Sequence, residues 1–316
     1  MDASSQSAAA GGIDLTGIAG LVIGVTDGDA ARDFYCRILG CTALGSDSLP
    51  GHGRHHLVAT ASGGLIALAE VAVATDVSDS GVHQAYRAGA AGREAIRARL
   101  AAAGVAVHGY REDRAAEQDD RFYFLDPDGN RIQIVARDGI KGEGIVAIDH
   151  VAVQVSDMMW GEEFYRRTLG LAVESRFGLR TADHARARLW ARGEDDMAPG
   201  TRRNDKLYMM MGGQSEVPRT NMQIYFQAGD GVLGVYLSTR HVQEPPEENL
   251  SGAPRLMLAS TRAGLDRAAE RLALVGRGFE GPVDHPASSP VAASLYFKDT
   301  GGNFIEICVP GKSRPA

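Results

Sequence analysis

The run His150-Val-Ala-Val-Gln-Val-Ser-Asp157, followed by Phe164-Tyr165 and Leu169-Gly170, decides the fold because it occurs twice. Its counterpart is Gly20-Leu-Val-Ile-Gly-Val-Thr-Asp27, followed by Phe34-Tyr35 and Leu39-Gly40, 130 residues earlier at every matched position. Each copy reads as an alternating strand, an Asp where a helix starts, an amphipathic helix and a Leu-Gly stop. A second pair follows: Phe122-Tyr-Phe-Leu-Asp126-Pro-Asp-Gly-Asn130-Arg-Ile-Gln133 and Leu295-Tyr-Phe-Lys-Asp299-Thr-Gly-Gly-Asn303-Phe-Ile-Glu306. Both are strand, Asp/Gly/Asn turn, strand, which is a β-hairpin. Their offset is 173, so the second half carries 43 extra residues. These are expected mainly in Arg192–Arg219, a polar stretch that reads as a loop over a binding face.

A further helix precedes each hairpin, at Gly92–Ala103 and Leu265–Val275. The chain therefore divides into four βαβββ units, near 15–75, 80–138, 146–240 and 252–310. The expected class is α+β, with tandem domains at 13–138 and 146–310. The segments Asp138–Gly144 and Pro245–Asn249 read as links.

Composition narrows the function. With 316 residues, 44% hydrophobic and 23% charged, the chain has the make-up of a soluble globular protein. A net charge of -7 argues against a nucleic-acid surface, which needs clustered Lys and Arg. Cys36, Cys41 and Cys308 are too few and too scattered for a disulfide framework, and they fit a reducing cytoplasm. No apolar run is long enough for a membrane helix. The Ala/Ser/Gly-rich Met1–Gly12 lacks the pattern of a signal peptide and reads as a loose tail, as does Gly311–Ala316. The expected partner is a small molecule, with no nucleic acid and no membrane. Assembly into a homo-oligomer is left open.

The "Asp, Phe-Tyr, Leu-Gly" helix and the "Tyr-Phe-x-Asp-x-x-Gly-Asn-x-Ile-Glu" hairpin resemble the vicinal oxygen chelate superfamily of glyoxalases, bleomycin-resistance proteins and extradiol dioxygenases. The likeness spans nearly all of the chain outside the tails and the insertion. It implies cups built from two βαβββ units, each with a divalent metal at its base. Ligands would come from the first and last strands, and the metal would stabilise an enolate or activate dioxygen.

Carried over by position, the resemblance makes His150 a first-strand ligand and Glu306 a last-strand ligand. Imidazole suits Fe(II), Mn(II) or Zn(II), and a carboxylate in the apolar run Phe304–Val309 needs a cation or donor. Tyr296, ten residues before Glu306, holds the place of a tyrosine that contacts substrate in extradiol enzymes. A second histidine is expected near Leu256 and is missing. His241 could supply the third ligand, with His184 and Tyr236 as further candidates. His285 could act as a general base beside the metal. In the first half Gly20 and Gln133 replace the ligands, which suits a metal-free domain. His83 nevertheless stands 40 residues before Tyr123, the interval that separates Leu256 from Tyr296. If the middle two units built a shared cup, His83, Gln133 and His150 would meet. His52, His55 and His56 read as solvated.

Three functions fit. A ring-cleaving dioxygenase acting on a small aromatic diol would use Fe(II) or Mn(II). A glyoxalase-like isomerase or lyase would use Zn(II) or Ni(II). A non-enzymatic binder of an aromatic drug or metabolite would line its pocket with Tyr208–Met211, Trp160 and Trp190.

Overall fold

The structure, a computed structural model, describes residues 13–48, 54–75, 77, 81–109, 120–177, 223–237 and 248–311. His52, His184, Trp190, the stretch Arg192–Arg219, Tyr208–Met211 and His241 lie outside the described residues.

All four units are present. The first comprises β1 (Gly17–Val25), α1 (Gly28–Arg37), β2 (Thr42–Ser48), β3 (Arg54–Ala59) and β4 (Leu65–Glu70). The second comprises β5 (His83–Ala88), α2 (Ala90–Ala102), β6 (His108–Gly109), β7 (Arg121–Leu125) and β8 (Arg131–Ala136). In the third, β9 (Ala147–Val155) leads to α3 (Met158–Glu163), which continues as a π-helical turn (Phe164–Thr168). The unit continues with β10 (Ala172–Phe177), β11 (Gln223–Ala228) and β12 (Gly231–Leu237). The fourth comprises β13 (Arg255–Ala259), α4 (Arg262–Leu274), β14 (Phe279–Asp284), β15 (Val291–Lys298) and β16 (Phe304–Pro310).

The repeated motif residues act locally as caps. Asp27 accepts a hydrogen bond from the Ala30 N–H at 2.9 Å, and Asp157 from the Trp160 N–H at 3.2 Å. Each satisfies an orphan donor of a first turn. The matched Leu-Gly stops put Gly40 and Gly170 at φ 78° and 81°, where a Cβ is strained.

Strand pairing crosses the halves. One eight-stranded sheet runs β14-β15-β16-β13-β1-β4-β3-β2, joining units one and four. The other runs β10-β11-β12-β9-β5-β8-β7-β6, joining units two and three. The junctions are antiparallel, β1 against β13 and β5 against β9. What ties units within a half is the hairpin motif. The Tyr35 hydroxyl donates to Asp126 at 3.1 Å, and the Asn130 amide donates to the Gly24 carbonyl at 3.1 Å. Tyr165 and Asp299 repeat the first contact at 2.6 Å, and Asn303 and the Gln154 carbonyl the second at 2.7 Å. Both carboxylates are buried and also accept backbone N–H bonds from their own turns.

A single apolar cluster draws on both sheets and all four helices, with Tyr35, Ile96, Phe164 and Leu265 among its helical members. A second cluster fills the inner face of the first sheet. It contains Val22, Leu57, Leu65, Ala67, Ala69, Met257 and Cys308. No such apolar cluster covers the inner face of the second sheet among the described residues. That face is polar, and it holds the candidate site.

Candidate functional site

Register shows which residues face the inside of each cup. In the second sheet His83 pairs with Ala152, while Ala85 lies between His150 and Gln133. In the first sheet Arg255 pairs with Val22, while Met257 lies between Gly20 and Glu306. The four inner positions of one cup thus match those of the other: His150 with Gly20, His83 with Arg255, Gln133 with Glu306, and Tyr236 with Ala69.

This corrects the expected ligand set. His150 and Glu306 belong to different sheets and do not meet. The place of the missing histidine is Arg255, not Leu256. Unit four is one residue longer than unit two between these strands, and a one-residue slip turns a strand's faces over. Leu256 instead packs into the main core. The Arg255 Nε donates to Glu306 at 2.9 Å, and Ser294 donates to the other carboxylate oxygen at 2.6 Å. Glu306 is 1% exposed, so the cation that its burial requires is a guanidinium of the same chain. Gly20 closes the remaining ligand position, since a Cβ there would stand 2.4 Å from the Leu65 carbonyl oxygen.

Tyr296 and His285 sit beside this ion pair. Arg255 lies over the Tyr296 ring at 5.1 Å, and the His285 Nε2 is 2.9 Å from the Ser294 hydroxyl and 3.4 Å from that of Tyr296. Burial first, and the Glu306 charge second, push the Tyr296 phenol well above its usual range. The expected solvated histidines are also corrected. His55 and His56 are each 1% exposed, and His56 is held between Glu70 and the exposed Asp29.

In the second cup the Nε2 atoms of His83 and His150 face each other at 3.0 Å. The Nδ1 of His83 lies 2.8 Å from the Gly81 carbonyl, and that of His150 lies 2.7 Å from the Asp149 carboxylate. A carbonyl and a carboxylate can only accept, so both Nδ1 atoms carry the ring proton. Two Nε2 lone pairs are thereby aimed at one point. That arrangement repels unless a proton or a metal cation lies between them. Two nitrogens each roughly 2.1 Å from one ion, at about a right angle, would stand about 3 Å apart.

Asp149 is the anchor behind this pair. Its carboxylate also accepts from Arg87 at 2.9 Å and from Arg137 at 2.9 Å. Burial alone would raise its pKa. The hydrogen bonds from His150, Arg87 and Arg137 outweigh that and hold it well below the usual carboxylate range. A carboxylate on the far nitrogen fixes the tautomer and orientation of a ligating imidazole.

Two further groups complete the floor. The Gln133 Oε1 and the Gln154 Nε2 are buried without a hydrogen-bond partner. An orphaned acceptor on the same sheet face as two imidazoles fits a cation, and an orphaned donor fits a ligand oxygen. The Tyr123 ring packs edge-on against His83, with centroids 5.5 Å apart. Among the described residues no three His, Cys, Asp or Glu side chains come together as a metal-holding group. Gln133 and Tyr236 carry no ligand signal by residue type. Their places in the repeat make both candidates, and the strand register sets them on this face.

The sequence profile of the Glyoxalase/Bleomycin resistance protein/Dioxygenase superfamily matches residues 17–134 and again 147–307. The chain belongs to this superfamily. Among solved structures it resembles a Bacillus subtilis protein titled "putative dioxygenase", with 14% identity and a TM-score of 0.63, over 94% of this chain and 87% of that one. Glyoxalase I from Zea mays aligns with 12% identity and a TM-score of 0.57, over 92% of each chain. At these identities both likenesses concern the fold. No functionally curated protein matches the sequence. No helix among the described residues is long and apolar enough to cross a membrane.

Proposed function

We propose that the chain is a metal-dependent enzyme of the glyoxalase-like isomerase or lyase type, working in the cup of units two and three. The observation that carries this reading is the His83–His150 pair, whose Nε2 atoms converge at 3.0 Å on the sheet face that also carries the orphaned Gln133 oxygen. His83, His150 and Gln133 would hold the ion. Bound there, a divalent ion supplies a Lewis acid that polarises two neighbouring substrate oxygens. Asp149 keeps the His150 imidazole in register and the Gly81 carbonyl that of His83, and Gln154 offers its amide to a substrate oxygen.

These described donors are all neutral. A neutral set leaves the ion's charge uncompensated by the protein, which favours charge stabilisation over oxygen activation. Ring cleavage by a non-haem iron uses two histidines and a carboxylate. The histidines are in place, but Gln133 stands where the carboxylate would be. Oxygen-dependent cleavage of a catechol is therefore the second reading.

Titration of metal-free protein with Co(II) tests the site. One ion per chain is expected, with loss of its absorption band in His83→Ala and His150→Ala and retention in His285→Asn. Assay of the loaded protein for isomerisation of α-keto hemithioacetals, against oxygen uptake with catechols, separates the two reactions. Binding unaffected by either histidine substitution would refute the proposed site.

A further inference from the structure

A cavity of about 80 Å³ is walled by residues of both sheets. Its lining repeats across the halves. Leu21 and Ile23 are matched by Val151 and Val153, and His83 is matched by Arg255. Apart from Val77, every lining residue has such a counterpart in the wall. Strand alternation turns Leu21, Ile23, Val151 and Val153 away from the cups, and all four belong to the main apolar core. The volume holds roughly two or three waters or one compact molecule, and an apolar wall favours the molecule.

Most polar side chains of the wall are engaged elsewhere. Gln84 donates to the Tyr35 hydroxyl and accepts from that of Tyr86, both at 3.1 Å. The Asn130 and Asn303 amides donate to the Gly24 and Gln154 carbonyls. The His83 ring nitrogens face Gly81 and His150, and Arg131 has contacts of its own. Arg255 differs. Its Nε donates to Glu306 and its Nη1 to the Ser251 and Gly252 carbonyls. Its Nη2 is buried with no hydrogen-bond partner among the described residues. An unmet buried donor destabilises the fold, and an acceptor oxygen in the cavity would satisfy it. Charge limits what can carry that oxygen. Glu306 already balances Arg255 at 2.9 Å, so an anion would be buried near a carboxylate without a cation of its own.

We infer that this cavity is a binding site for a small uncharged carbonyl compound. The ligand's oxygen accepts from the Arg255 Nη2, and its hydrocarbon part lies against Leu21, Ile23, Val151 and Val153. The site needs no metal, so the inference stands apart from the proposed function of the second cup.

Cyclopentanone is the probe, added to EDTA-treated full-length protein carrying labelled Leu, Ile and Val methyl groups. The methyl signals of Leu21, Ile23, Val151 and Val153 should shift together along one saturable curve. The carbonyl stretch of the bound ketone should move to lower frequency, as a hydrogen bond from a guanidinium requires. Val153→Phe places a ring in the cavity and should abolish the remaining shifts. Arg255→Met/Glu306→Leu removes the donor together with its counter-charge; it should weaken binding about tenfold and return the stretch to higher frequency. Isobutyrate, an anion of similar size, should bind more weakly than the ketone. Absence of saturable shifts at those methyls in the wild type overturns the inference. Equal ketone affinity in the double variant, or tighter binding of isobutyrate, overturns it as well.

Discussion

At position 255 a guanidinium stands where position 83 has an imidazole, and this exchange separates the chemistry of the two cups. The Arg255–Glu306 pair is almost fully buried, with side-chain exposures of 1% and 2%. Arg255 also donates to the Ser251 and Gly252 carbonyls. Removing one partner of such a pair strands a charge and costs about 3–5 kcal/mol, whereas replacing both with apolar groups is often neutral. Arg255→Met should therefore lower stability by about that amount, and Arg255→Met/Glu306→Leu should recover most of it, as read by urea denaturation. Equal loss in the single and double variants would mean that packing, not charge, sets the effect. Either outcome should leave metal binding by the second cup intact. A lone glutamate in an apolar run does call for a cation, but residue type does not say whether that cation is an ion or a side chain. Only the register shows that Arg255 reaches Glu306.

The hairpin and the helix it touches are the elements that the sequence made legible, because their signals are local. Asp27, Asp157, Gly40 and Gly170 cap and stop helices, and the Asp-x-x-Gly-Asn turns close hairpins. The same residues also carry tertiary contacts that no local pattern displays. Asp126 accepts from Tyr35, Asn130 and its own turn, yet burial prevails and raises its carboxyl to about 6 from an ordinary 3.8. Asp299 shifts in the same direction, and again burial is the main cause. A folded pKa above the unfolded one means that the folded state binds the proton more tightly. The stabilisation is complete below about pH 4 and fades as pH rises through about 6. For Asp126 this is on the order of 3 kcal/mol between pH 4 and 7. Asp126→Asn removes that titration, whatever constant offset its altered hydrogen bonding adds. The stability difference between wild type and variant should therefore shift against the wild type across this window. Parallel curves in urea denaturation at each pH would contradict the assignment.

Across the whole molecule, two kinds of connection run at cross purposes. The Tyr–Asp–Asn locks hold units one and two together and units three and four together. The sheets join one with four and two with three. Sequence displays the repeated elements, because turns and caps are contiguous, and conceals both kinds of connection, because Tyr35 and Asp126, like β1 and β13, are far apart along the chain. That is why the repeat revealed the fold while the donors of the site had to be regrouped. The topology also predicts how the halves behave when separated. Residues 13–138 contain β1 and β5 without their partners β13 and β9, so both would be open sheet edges. Two copies could pair β1 of one with β5 of the other. The isolated half should therefore be a dimer or an aggregate by light scattering, and not a stable monomer. His83 and Gln133 lie in that half, while His150 lies in the other. Neither half alone should bind Co(II) with the affinity of the intact chain, and mixing the halves should restore it. A monomeric first half with full affinity would show that the cup does not need both.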